Sequence, residues 1–334
     1  MKFLVTGAAG FIGSATAARL CEDGHKVLGI DNLNDYYDPS LKLDRLANLC
    51  EGPLFEFKEV DIADRTAMAK LFEEQQFDRV IHLAAQAGVR YSIENPMSYI
   101  DSNLVGMANV LEGCRHNQVK HLVFASSSSV YAMNEKIPFS EDDTVDHPVS
   151  LYAATKKSNE LMAHSYAHLY GIAVTGLRFF TVYGPWGRPD MAPFLFTDAI
   201  MNDKPIKVFN HGKMQRDFTY IDDIVEGIFK IQAIPAKENP TDPLNSPATA
   251  RAPYQILNIG NNEPIELSRF ISAIETACAK TAHKTMLPMQ AGDVPRTFAD
   301  IERLNTLTGF KPKTTIESGM LKFVEWYKDY YHKS

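Results

Sequence analysis

The sequence predicts an α/β fold: a doubly wound parallel sheet with a smaller α+β domain at its C-terminal end. Three observations carry this. Short apolar runs recur through the first 180 residues, helix-like stretches separate them, and a glycine-rich turn follows the first run at once. Strands that alternate with helices give a parallel sheet covered on both faces.

The first strand is expected over residues 2–6, where Phe3, Leu4 and Val5 lead into Gly7. Residues 11–23 carry Ala15, Ala17, Ala18 and Leu20 and read as a helix. Strands follow at 26–31, 55–62, 79–84, 121–126 and 173–180, with helices at 97–117 and 151–170. In 55–62 the apolar Phe55, Phe57, Val60 and Ile62 stand among charged residues. Beyond residue 184 the pattern loosens, and Gly184-Pro185-Trp186-Gly187-Arg188-Pro189 is turn chemistry. Prolines at 235, 240, 243, 247 and 253 make that stretch an expected surface loop, free to move. A helix over 317–331 closes the chain.

Composition sets limits on function. The chain has 334 residues, 45% hydrophobic and 22% charged, an ordinary globular balance. A net charge of −7 argues against a nucleic-acid partner. Cys21, Cys50, Cys114 and Cys278 form no C-x-x-C pair, so neither a metal site nor a redox motif is expected. The apolar run before Gly7 is too short for a signal peptide or a membrane span. The expected protein starts directly with its first strand, lies in the cytoplasm and has no membrane partner.

Gly7-Ala8-Ala9-Gly10-Phe11-Ile12-Gly13 joins the first strand to the first helix. Gly7 allows the tight turn, Gly10 lets backbone approach a pyrophosphate, and Gly13 lets helix and sheet pack closely. The helix N-terminus adds free N–H groups and a positive dipole end. Asp31 ends the second strand, 18 residues beyond Gly13. Its carboxylate suits the two ribose hydroxyls of an adenosine and repels a 2′-phosphate, which favours NAD over NADP. The competing reading of Asp31 is a turn residue, since Asn32 follows. Asp61, at the end of the third strand, is placed for the adenine. Asn32, Ile62, Leu83, Ala84, Ala85 and Phe179 are the remaining expected cofactor neighbours at the strand ends.

Tyr152 and Lys156 stand four residues apart, on one face of a helix. An ammonium beside a phenol, with a cationic nicotinamide nearby, lowers the phenol pKa until it can take a hydroxyl proton near neutral pH. Four serines, Ser126 to Ser129, end the fifth strand and offer a second hydroxyl.

Together these motifs resemble those of the extended short-chain dehydrogenase/reductases, whose sheet is of the Rossmann type, and the resemblance covers nearly the whole chain. Within that family the chain is most similar to the NAD-dependent epimerases of UDP-glucuronate. The resemblance implies Tyr152 as base, Lys156 as its electrostatic partner, and Ser127 or Ser128 as the hydroxyl helper. It also implies that Asn103 lies beside the cofactor. In the loop after the fourth strand, Gly88, Val89 and Arg90 would border cofactor and sugar. Thr181 stands where UDP-glucose epimerases usually carry Asn. Arg188 could pair with a sugar carboxylate in a fork geometry, and its competing reading is a surface ion pair. Related dehydratases carry an Asp-Glu pair where Ser128 and Ser129 stand, and decarboxylases usually carry Glu at Ser129. Dehydration and efficient decarboxylation are therefore not expected, and Arg188 with Thr181 would hold the carboxylate away from CO₂ loss. At the nucleotide end, Arg216 would meet the diphosphate, Val208 and Phe209 the uracil, and Asp293 the ribose. Asp222 or Asp223 is expected to cap the next helix.

The resemblance implies a 4-epimerase that interconverts UDP-glucuronate and UDP-galacturonate through a 4-keto intermediate. A UDP-glucose or UDP-N-acetylhexosamine 4-epimerase is the alternative, and a net NAD-dependent dehydrogenase a more distant one. The expected NAD-binding domain is 1–180 with a return segment near 218–260. The rest of 181–334 would bind the UDP-sugar, and the family expectation is a homodimer.

Overall fold

The computed structural model describes residues 1–290 and 294–331. The first half runs β1 (Lys2–Thr6), α1 (Phe11–Glu22), β2 (Lys26–Asp31), α2 (Pro39–Leu49), β3 (Phe55–Glu59), α3 (Arg65–Glu74) and β4 (Arg79–His82). Two helical turns follow, α4 (Tyr91–Glu94) and α5 (Pro96–Tyr99), then a π-helical stretch at Ile100–Val105 that leads into α6 (Gly106–His116). Next come β5 (His121–Ser127), α7 (Leu151–Tyr170) and β6 (Val174–Phe179). The second half runs β7 (Thr181–Tyr183), α8 (Ala192–Met201), β8 (Ile206–Val208), β9 (Gln215–Tyr220), α9 (Ile221–Gln232) and β10 (Tyr254–Ile259). It ends with β11 (Pro264–Glu266), α10 (Leu267–Cys278), β12 (Lys284–Met286), α11 (Glu302–Thr308) and α12 (Ile316–Tyr331).

Seven parallel strands form one sheet in the order β10-β6-β5-β4-β1-β2-β3. Central strands are buried on both faces and so read as continuous apolar runs: Phe3, Leu4 and Val5 of β1 are fully buried. The chain moves outward through β2 and β3, then returns to the other side of β1 with β4. That reversal opens a crevice at the carboxyl ends of β1 and β4, the place where such sheets bind ligands. The third strand stops at Glu59, short of the expected 62, because β3 is the sheet edge and Phe55 to Glu59 has no buried residue.

Each face of the sheet carries its own core. Ala17 and Leu20 of α1 share one core with Ile224, Ile228 and Ile231 of α9 and with Leu304 and Phe310. Met68, Leu71 and Phe72 of α3 share the other with Val110 and Leu111 of α6 and Ala163 of α7. A third core, built on Phe218, Phe270 and Phe323, fills the smaller domain. There β7, β9 and β11 form a three-stranded sheet and β8 pairs with β12.

The chain crosses between these layers more than once. After β9 it returns to the large sheet, where α9 packs on α1 and β10 joins the free side of β6. A second return, outside the expected 218–260, brings α11 against α9 and β10. The proline-rich stretch 235–253 lies along β10: Ile256 donates to the Ala248 carbonyl at 2.9 Å, and Ala248 is fully buried. It therefore covers a sheet edge, a position that would otherwise invite pairing with another chain.

Two local readings are corrected. The helix expected over 97–117 is broken by the π-helical stretch. Asp222 and Asp223 lie inside the first turn of α9 rather than at its cap, which is Tyr220. The carboxylate of Asp223 instead accepts from the backbone N–H groups of Lys313 and Thr314 at 3.2 and 3.0 Å.

Candidate active site

A cleft of about 900 Å³ opens at the sheet reversal, between the large sheet and the smaller domain. Gly7, with φ +71°, makes the turn at its floor. Gly13 has no room for a side chain: a Cβ there would stand 1.9 Å from the Gly7 carbonyl oxygen. Among the described residues the α1 N-terminus has no side-chain cap, and Gly10, Phe11, Ile12 and Gly13 line the cleft there. These features fit a pyrophosphate bridge. Gly13→Ala is expected to cost roughly 2–3 kcal/mol of stability and to empty the cofactor site, because the clash is with backbone. Thermal melting and the nucleotide released on denaturation check this.

Asp31 lines the cleft at the end of β2. It accepts from the N–H groups of Ala9 at 3.2 Å and Leu33 at 3.0 Å. Burial pushes its carboxyl pKa up, and the Lys42 ammonium pulls it back. Lys42 and Arg45 of α2 escaped the sequence reading, whose only signal for them is a spacing of three on an unrecognised helix. Arg45 is fully buried and donates to the carbonyls of Ala9 at 3.1 Å and Trp186 at 2.7 Å. It thereby ties the glycine loop to the turn that carries Arg188.

The other expected cofactor neighbours divide. Gly10, Phe11 and Ile12, then Asn32 and Ile62, and Leu83, Ala84, Ala85 and Phe179 all line the cleft. Asp61 does not: its carboxylate is taken by Asn32 Nδ2 at 3.1 Å and Ala63 N–H at 2.8 Å. Asn103 does not either. It is 2% exposed and acts as a brace, accepting from Gln86 N–H at 2.8 Å and donating to Thr155 Oγ1 at 3.0 Å. Its backbone carbonyl accepts from Asn159 Nδ2 at 2.7 Å. Asn103 thus fixes the loop after β4 against α7.

Helix α7 begins at Ser150, whose hydroxyl accepts from Ala153 N–H at 3.1 Å and sets Tyr152 in the first turn. The four serines divide. Ser126 turns inward and donates to Glu160 at 2.7 Å. Ser127 lines the cleft with Tyr152, its hydroxyl donating to Ser129 Oγ at 3.1 Å and accepting from Ser129 N–H at 3.2 Å. Ser128 lines the cleft one residue further along. Lys156, 3% exposed, donates to the Ala125 carbonyl at 2.9 Å, with its ammonium 6.0 Å from the Tyr152 ring centre. Burial lowers the Lys156 pKa to about 8. Burial also raises the Tyr152 pKa, opposed by the Ser127 hydroxyl and the Arg188 charge. The expected lowering includes the nicotinamide charge, which acts only with the cofactor bound.

Thr181, at the start of β7, and Arg188 line the same cleft as Tyr152. Arg188 is paired after all, through Nε and Nη2 to Asp190 at 2.9 and 2.6 Å, but within the cleft rather than out on the surface. The Tyr36 hydroxyl donates to the same carboxylate at 3.0 Å. Gly88 and Val89 line the near wall, and the guanidinium of Arg90 lies 5.7 Å from the Phe209 ring centre. Arg216 also lines the cleft, donating to the Gln215 carbonyl at 3.0 Å. Val208 does not: it is 1% exposed inside the core of the smaller domain. Asp293 lies outside the described residues.

Among the described residues no three His, Cys, Asp or Glu side chains gather to hold a metal ion. No helix among them is long and apolar enough to cross a membrane.

The NAD dependent epimerase/dehydratase family matches residues 3–245. Protein CapI of Staphylococcus aureus is 55% identical over 337 residues, with 100% of each chain covered. A probable UDP-glucuronate 4-epimerase of Rhizobium meliloti (strain 1021) is 51% identical over 337 residues, covering 100% of this chain and 99% of its own. Among solved structures, the UDP-glucuronic acid 4-epimerase of Bacillus cereus, in complex with UDP-glucuronic acid and NAD, is similar with a TM-score of 0.88 at 34% identity. That match covers 99% of this chain and 100% of the other. The chain, with its glycine loop, its Tyr152–Lys156 pair and its reversed parallel sheet, belongs to the NAD dependent epimerase/dehydratase family.

Proposed function

We propose that the protein is a UDP-glucuronate 4-epimerase that interconverts UDP-glucuronate and UDP-galacturonate. The observation that carries this reading is the placement of Arg188 in the same cleft as Tyr152, Ser127 and Thr181. A guanidinium there suits the carboxylate of an acidic sugar.

NAD, when bound, supplies the hydride acceptor and donor at sugar C4. Gly7, Gly10 and Gly13 hold its pyrophosphate side and Asp31 its adenosine ribose. Tyr152 takes the O4 proton and later returns it, and Ser127 orients the same oxygen. Lys156 supports the phenolate through its charge and holds the nicotinamide ribose. Arg216 and Phe209 take the UDP end, which stays anchored while the 4-keto sugar turns over.

The test is incubation with UDP-glucuronate, without added reductant, followed by NMR of the sugar ring protons. UDP-galacturonate with little UDP-pentose is the expected product. Conversion of UDP-glucose to UDP-galactose instead would keep the chemistry and overturn the roles of Thr181 and Arg188. Reduction of added NAD in proportion to product would indicate a net dehydrogenase. A pH profile gives a second check. Lys156 loses its proton as pH rises through about 8, so kcat/KM is expected to fall there. A flat profile well beyond that value would remove the Lys156 charge from the mechanism. A homodimer and a cytoplasmic location belong to this same reading; the first rests on the family resemblance, and sedimentation analysis tests it.

A further inference from the structure

We propose that Asp190 is the resident counter-ion that lets Arg188 grip and release the sugar carboxylate within one catalytic cycle; the inference rests on the UDP-glucuronate reading. The geometry is two-sided. Asp190 takes the Nε and Nη2 edge of Arg188 at 2.9 and 2.6 Å. Arg188 Nη1 makes no hydrogen bond among the described residues, which leaves its edge for a second carboxylate. Asp190 is itself anchored, since the Tyr36 hydroxyl donates to its Oδ2 at 3.0 Å. Gly88 makes that anchor possible: a Cβ at Gly88 would stand 2.6 Å from the Tyr36 hydroxyl. The Arg188 and Asp190 side chains are 23% and 29% exposed in the open cleft, and a bound sugar covers them further.

The reaction sets the need. To be reduced on the face opposite the one it was oxidised from, the sugar must turn, so its carboxylate must leave its partner mid-cycle. A guanidinium paired with that carboxylate alone would be left as an uncompensated charge beneath the bound sugar, a costly state. With Asp190 on the other edge, departure of the sugar carboxylate breaks hydrogen bonds but strands no charge. The negative charge of Asp190 also weakens the hold on the sugar carboxylate by repulsion. Both effects ease the turn, and both reduce affinity for the acidic sugar. A neutral sugar feels neither.

The experiment compares Asp190→Asn with the wild type, both with NAD bound. In the variant, UDP-glucuronate is expected to bind several-fold tighter by calorimetry. Its kcat is expected to fall roughly tenfold or more, with reduced cofactor accumulating in the near-ultraviolet spectrum on mixing. Asp190→Glu is expected to restore turnover, and UDP-glucose should bind both proteins alike. Unchanged melting and unchanged UDP affinity show that the variant is folded. Weaker UDP-glucuronate binding without accumulation, or an unchanged kcat, would overturn the inference. A wild type that does not turn over UDP-glucuronate overturns the functional reading itself; a working wild type with a wild-type-like Asp190→Asn overturns only the role of Asp190.

Discussion

Tyr152→Phe is expected to lower turnover of UDP-glucuronate by roughly a hundredfold or more, the usual contribution of a general base. The substitution deletes one oxygen and keeps the ring. The edge-on contact with Tyr99, 6.1 Å between ring centres, should survive, and so should the α7 cap at Ser150. Melting temperature and bound NAD are therefore expected to stay close to wild type, with KM little changed. The loss falls on kcat because the missing group acts on the proton at O4 and not on the nucleotide. Ser127→Ala should act in the same direction with smaller effect, since the Ser127 hydroxyl opposes the rise that burial imposes on the phenol pKa. Near-normal kcat in Tyr152→Phe, measured by the NMR conversion assay, would remove Tyr152 from the role.

What the sequence reveals here depends on the range of the cause. The glycine loop, Asp31 and the Tyr152–Lys156 spacing are legible because strand, turn and helix each impose their own local pattern. Asn103 shows the opposite case. The side chain and carbonyl of this residue are held by Gln86, Thr155 and Asn159, 17, 52 and 56 residues away. Val208 and Phe209 show a third limit. The strand ends at Val208, which faces the core, and Phe209 opens the turn after it; so short a strand has no pattern that marks this boundary. Asp190 was visible only as a turn residue two places after Arg188. That it fills the Arg188 fork follows from the backbone turn and from Tyr36, 154 residues distant. Within the serine cluster, only the long-range claim of Glu160 on Ser126 separates that residue from the other three.

That claim makes Glu160→Gln the second large effect, this time on stability. Glu160 and Arg178 are 1% and fully buried, and they meet in a fork with contacts of 2.8 and 2.9 Å. The guanidinium also lies 4.8 Å from the Tyr131 ring centre. Burial disfavours the Glu160 charge, but Arg178 outweighs it and holds the carboxyl below its ordinary pKa. Glutamine keeps the shape and removes the charge, leaving Arg178 buried and uncompensated at a cost of roughly 3–5 kcal/mol. Replacing both, as Glu160→Leu with Arg178→Met, should cost less than Glu160→Gln alone, because no charge is then stranded. Chemical denaturation of the singles and the double measures the coupling, and strictly additive effects would sink the argument. Catalysis supplies an independent readout. Ser126 loses its carboxylate acceptor in Glu160→Gln, and Ser127 is the next residue on β5. The variant is therefore expected to lose kcat even at temperatures where it remains folded, because the strand end that presents Ser127 to Tyr152 is held through this buried pair.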